Sequence, residues 1–75
     1  MTDYVNSPPH YNTGSVECIV AIQESMTPDA FKGYLKGNVL KYMWRYEYKN
    51  GTQDLEKAQW YLNRLVETLK KEETS

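Results

Sequence analysis

The sequence predicts an all-α fold: a small bundle of three to four short helices preceded by an extended Pro-rich arm and assembled as a homo-oligomer. Three observations carry this. Thr27-Pro28-Asp29 combines a capping hydroxyl, a proline in the first turn and an acid beside the helix dipole. Leu55, Ala58, Leu62, Leu65, Val66 and Leu69 recur at near-heptad spacing. The proline pair Pro8-Pro9 fixes backbone φ, and with the turn formers Asn6, Asn12 and Gly14 it keeps the first segment out of any helix. The expected layout is an arm over 1–14 packed on the domain, a single helical domain over 15–71, and a frayed tail over 72–75.

Each element has its own signals. SVECIVAIQES, Ser15 to Ser25, reads as the first helix, capped by Ser15 and with Val16, Ile19 and Val20 as apolar surface. The second helix starts at Thr27-Pro28-Asp29. Gly33 and Gly37 each weaken it by up to about 1 kcal/mol against alanine, so a kink or break is expected near Gly37-Asn38. Helix is expected to resume to about Tyr48, and Asn50-Gly51 ends it, since both residues tolerate left-handed backbone. Thr52 is expected to cap the last helix, which runs to roughly Lys71 on the apolar stripe named above.

Size and composition narrow the classes. A chain of 75 residues is one small domain, and such domains bury only about 60% of their unfolded surface. Cys18 is the only cysteine, so no intrachain disulfide staples the fold, and no Cys/His pattern offers a structural zinc. Oligomerisation remains the common route to stability. A net charge of −1 argues against a general nucleic-acid coat, although it leaves room for a local basic patch. The sequence has no membrane-spanning run and no signal-peptide pattern, and a lone cysteine suits a reducing compartment.

The stretch KGNVLKYMWRYEYKN, Lys36 to Asn50, packs four aromatic and four basic residues together. On a wheel of about 100° per residue, Asn38, Lys41, Tyr42, Arg45 and Lys49 fall within an arc of roughly 100°. Val39, Leu40, Met43 and Trp44 occupy the other side. Lys41 and Arg45 sit one turn apart and can address one anion, with Asn38 and Tyr42 as neutral hydrogen-bond partners and Lys36 nearby. A break at Gly37 would add a helix N-terminus to this anion site. The plainer alternative is a solvated face, but such faces usually mix Glu with Lys and this one is nearly free of acids. In the last helix Trp60 lies off the apolar stripe, on one side with Lys57 and Arg64, where it can stack on a base or pack in an interface. His10, beside Tyr11, offers an acid, base or phosphate ligand, against the plainer reading of a turn histidine. Cys18 reads as a core cysteine.

No phosphate loop, dinucleotide-binding glycine fingerprint, metal-ligand pair or nucleophile elbow appears. However, PPHYNTGSVECIVAIQ, FKGYLKGNVLKYMWRYEYKNG and DLEKAQWYLNRLVE together resemble a small phage-encoded family of uncharacterised proteins, over about residues 8–66. Members are often labelled nucleotide kinase, because the module is similar to part of a nucleotide kinase of T7-like podoviruses. Pro9, His10, Tyr11, Glu17, Lys36, Gly37, Asn38, Lys41, Tyr42, Trp44, Arg45, Lys57 and Trp60 stand at motif positions. The resemblance implies a phosphate-bearing ligand and a place in the cytoplasm of an infected bacterial host.

Three functional readings follow. The first is a nucleotide-binding protein that does little or no chemistry and sequesters a nucleotide, such as a host immune signalling nucleotide. Its site would comprise Lys36, Asn38, Lys41, Tyr42, Arg45, His10 and Tyr11, with Trp60, Lys57 and Arg64 for base stacking or interface contact. The second is a nucleotide kinase with a site shared between subunits; it would need magnesium, with Glu17 and Asp54 as the carboxylates to hold it. The third is a protein–protein interaction module with exposed aromatic anchors. The first reading calls for no cofactor or metal, and none of the three involves a membrane.

Overall fold

The computed structural model describes residues 17–74. The arm over 1–14, with His10 and Tyr11, and the expected Ser15 cap lie outside the described residues. Among the described residues the fold is all-α, with the order α1 (Cys18–Glu24), α2 (Pro28–Arg45) and α3 (Thr52–Thr74). The chain divides into two compact units, 1–31 and 32–75, with the boundary falling inside α2.

The first unit is built on turn chemistry. The residue flanking α1 at its start is Glu17, whose side chain makes no capping bond. The Ser25 hydroxyl closes the other end by donating to the Ile22 carbonyl at 2.7 Å. Thr27 then caps α2 as its sequence predicts: its Oγ1 accepts the Ala30 N–H at 3.2 Å, with Pro28 as the first helical residue. Ile19 and Phe31 are buried, and Cys18 is half-buried.

The second unit holds the rest of α2 and all of α3. These run antiparallel, because Lys32, near the start of α2, pairs with Glu72 near the end of α3 at 3.0 Å, while Arg45 at the end of α2 pairs with Asp54 at the start of α3. The break expected at Gly37 does not occur; α2 is continuous from Pro28 to Arg45. Only Gly51 has positive φ among the described residues, so Gly33 and Gly37 cost helix propensity without breaking the helix. The helical backbone also ends at Arg45 rather than near Tyr48. A turn follows, in which the Tyr48 and Lys49 amides donate to the Arg45 carbonyl and the Gly51 amide to that of Tyr46 at 2.9 Å. Gly51, at φ 54°, takes the left-handed backbone that reverses the chain. Thr52 is thus the first residue of α3, not its cap, and the tail stays helical to Thr74.

The helix faces differ most from the sequence reading. On α2 the inward line is Leu35 with Asn38, Tyr42 and Arg45; of the expected apolar side Val39 is half-buried, whereas Leu40 and Met43 are exposed and Trp44 is 80% exposed. On α3 the buried line is Asp54, Ala58 and Tyr61. Of the apolar stripe, Ala58 is buried and Leu65 half-buried, while Leu55, Leu62, Val66 and Leu69 lie to one side of the buried line and are exposed. Tyrosine explains the shift: its ring supplies apolar area to the interior while its hydroxyl reaches a polar edge, so a line that reads as polar is the one that packs.

Two substitutions probe this packing. Leu35 is fully buried, and Leu35→Ala should cost about 2–5 kcal/mol in chemical denaturation. A Cβ at Gly37 would meet nothing within 4 Å, so Gly37→Ala should instead gain about 0.5–1 kcal/mol. A loss of stability in Gly37→Ala would show that the helix needs glycine there.

Candidate functional site: a cationic aromatic surface on the helical hairpin

Tyr42 is the centre of the site. It is half-buried on α2 and stacks on Tyr61 of α3, with centroids 5.9 Å apart and planes 15° from parallel. Tyr61 is itself buried and takes two edge contacts, from Tyr34 at 6.1 Å and from Trp60 at 5.0 Å. Such edge-to-face and stacked pairs contribute about 0.5–1.5 kcal/mol each beyond their buried area. The interlocked rings hold Tyr42 in place between the helices.

Three cations surround the Tyr42 ring. The Lys41 ammonium lies 4.5 Å from its centroid, the Arg45 guanidinium carbon 5.1 Å and the Lys57 ammonium 5.4 Å. Lys57 comes from α3 and the other two from α2, so the cluster exists only because the hairpin closes. Cation–π attraction to one ring is worth about 0.5–1 kcal/mol at exposed sites, and the three like charges oppose one another.

One carboxylate balances part of this charge. Asp54 is fully buried. Its Oδ2 accepts Arg45 Nε and the Asn50 amide, each at 3.2 Å, and its Oδ1 accepts Asn50 Nδ2 at 3.5 Å. Burial alone would push this carboxyl up. The Arg45 hydrogen bond, the Asn50 backbone N–H, the Arg45 charge and the Asn50 side chain outweigh it and hold Asp54 below the ordinary carboxylate value. Arg45 is therefore engaged inward, while Lys41 and Lys57 form no ion pair among the described residues.

The predicted site residues are thus only partly brought together. Lys41, Tyr42, Arg45 and Lys57 meet, and Trp60 joins them through Tyr61. Asn38 is close in sequence, but its amide donates to the Tyr34 carbonyl at 2.9 Å, which ties it to its own helix. Lys36 is exposed, and nine residues of helix place it about 180° from Arg45, so it does not join the cluster. The proposed helix N-terminus at Gly37 is absent because the helix is unbroken. Arg64 is half-buried on the same side of α3 as Lys57, about two turns away. His10 and Tyr11 lie outside the described residues.

Sequence reasoning missed two members. Tyr61 shares the buried line with Ala58, three residues earlier, and that spacing is the signal that marks it. Asp54 stood out only as an acid near the dipole, or as a magnesium carboxylate, yet it clamps Arg45 and the turn. Its reach back to the Asn50 N–H spans four residues, one more than the three of a capping box, in which an acid in the first turn likewise accepts a backbone N–H from before the helix. Among the described residues no group of three or more His, Cys, Asp or Glu side chains is placed to hold a metal ion.

Fold and site define a small all-α protein whose helical hairpin presents a cationic aromatic surface. The chain belongs to the DUF3310 family, described as proteins of unknown function, whose profile matches residues 5–63. It is 44% identical over 62 residues to the Gene 1.7 protein of Enterobacteria phage T3, which makes it a homologue of a phage protein. That alignment covers 76% of this chain and 38% of the relative, so the chain spans well under half the relative's length. No solved structure matches it. These findings correct the kinase resemblance: neither the family description nor the relative's name carries a nucleotide kinase activity. No helix among the described residues is long and apolar enough to cross a membrane.

The lowered Asp54 carboxyl makes stability depend on pH with a definite sign. An acid whose folded pKa lies below its unfolded one stabilises the fold above the unfolded value, about 3.9 for Asp, and loses that contribution as pH falls through the folded pKa. The thermal midpoint should therefore fall as pH drops below about 4. Asp54→Asn should start lower at neutral pH and show a flatter acid limb. Parallel acid limbs in the two proteins would assign the acid sensitivity to other groups.

Proposed function

We propose that this chain binds a phosphate-bearing ligand, a nucleotide, on the surface formed by Lys41, Tyr42, Arg45 and Lys57. The observation that carries the reading is the convergence of three cations on one ring with a single buried carboxylate among them. An anion between Lys41 and Lys57 relieves their mutual repulsion and gains charge-assisted hydrogen bonds. The half-buried rings of Tyr42 and Trp60, both seated on Tyr61, supply ring surface beside it, and a base stacked on such surface is worth about 1–3 kcal/mol. Arg45 acts mainly as the anchor of Asp54, so the two lysines carry the ligand's charge. Such a protein works by occupancy: it holds a nucleotide away from other proteins and needs no catalytic group, which suits sequestration by a phage product.

Titration calorimetry with a panel of mononucleotides, dinucleotides and cyclic nucleotides tests this. Saturable binding is expected, weakening as salt rises. Lys41→Ala combined with Lys57→Ala should reduce affinity by at least tenfold while far-ultraviolet circular dichroism stays unchanged. Arg45→Ala should instead lower stability, because it leaves Asp54 buried without its partner. Binding that survives the double lysine variant, or none across the panel, would refute the assignment.

A further inference from the structure

Four apolar side chains of α3 are exposed. Leu55, Leu62, Val66 and Leu69 are 37, 47, 42 and 40% exposed. They lie on one flank of the buried line Asp54–Ala58–Tyr61, and Lys57, Trp60 and Arg64 lie on the other. The two surfaces are therefore separate, and the stripe takes no part in the cation cluster.

We propose that this stripe is the interface with a second copy of the chain, packed as an antiparallel α3–α3 pair centred near Leu62. Three features of the stripe select this occupant. Leu55, Leu62 and Leu69 follow one another at seven residues, the heptad spacing of one coiled-coil seam position, with Val66 beside them four after Leu62 and the polar Gln59 at the equivalent place after Leu55. The repeat is self-complementary when reversed: with Leu62 on the twofold axis, Leu55 of one copy meets Leu69 of the other, as an isologous contact requires. The outer flank of the stripe carries Glu56, Gln59, Asn63 and Lys70. In the antiparallel pair this flank faces its own copy, so Glu56 approaches the partner's Lys70 twice by symmetry, with the neutral Gln59 and Asn63 between. A parallel pair would set Glu56 level with Glu56 and Lys70 level with Lys70. Among the described residues the second unit buries Leu35, Ala58 and Tyr61 as its apolar residues, and a second copy over the stripe would add to that small set.

Sedimentation equilibrium and cysteine cross-linking, both on the full chain, test the proposal. The natural protein should sediment at twice its 8.8 kDa mass, and Leu62→Lys at that single mass with its helical circular dichroism intact. In a Cys18→Ser background, Leu62→Cys should oxidise to a disulfide-linked dimer. Leu55→Cys should not do so alone, but should when mixed with Leu69→Cys. A monomeric natural protein overturns the proposal, because the stripe is then covered by the chain's own first residues or by another protein. Self-linking of Leu55→Cys overturns the antiparallel arrangement, and a Leu62→Lys protein that stays dimeric moves the interface elsewhere.

Discussion

Asp54 joins the two helices of the hairpin to the turn between them. Its carboxylate reaches back across the turn to the Asn50 amide and across the hairpin to Arg45. A fully buried charge is tolerable only when paired and hydrogen-bonded, and this one has both kinds of partner. The clamp fixes where α2 ends and α3 begins, and Gly51 supplies the backbone conformation that the reversal needs. Once that end is set, the register between the helices follows, and Tyr42 falls on Tyr61. The cation cluster results from that register.

The interior of the hairpin thus adds aromatic and ionic groups to the aliphatic Leu35 and Ala58. Tyr34, Tyr42 and Tyr61 fill the space between the helices with rings, and Arg45 with Asp54 closes one end. Rings of this kind pack at their faces while their edges and hydroxyls stay compatible with neighbouring charge. The arrangement frees the aliphatic side chains of both helices to lie outside: Leu40 and Met43 on α2, and Leu55, Leu62, Val66 and Leu69 on α3. A helix that packs through its tyrosines can offer its leucines to something else. The hairpin therefore divides its labour between a charged aromatic flank suited to an anion and an aliphatic flank suited to another helix.

How far the sequence was legible follows from the same distinction. Local backbone chemistry was readable. The hydroxyl of Thr27 and the proline after it start α2, and the glycine of Asn50-Gly51 reverses the chain, because those effects act within a few residues. The faces were not readable. Hydropathy counts Tyr42 and Arg45 as surface and Leu40 and Trp44 as interior, and the hairpin does the reverse, since only the closed pair decides which line meets Tyr61 and Asp54. The site was legible to the extent that it lay on one helix: the wheel puts Lys41, Tyr42 and Arg45 together. Lys57 enters across the hairpin, and Lys36 drops out on helical geometry. The expected break at Gly37 failed because two glycines lower helix propensity by an amount that packing around Leu35 offsets.

The charge around Tyr42 is proposed as a binding surface and not a solvated face. Amide chemical-shift mapping during titration with a nucleoside diphosphate tests it most directly, because every residue reports separately. The account predicts saturating shifts at Lys41, Tyr42, Arg45, Lys57 and the Trp60 indole, with Leu55, Leu62 and Leu69 unmoved. Shifts confined to the leucine stripe, or no saturable shifts at all, would contradict it.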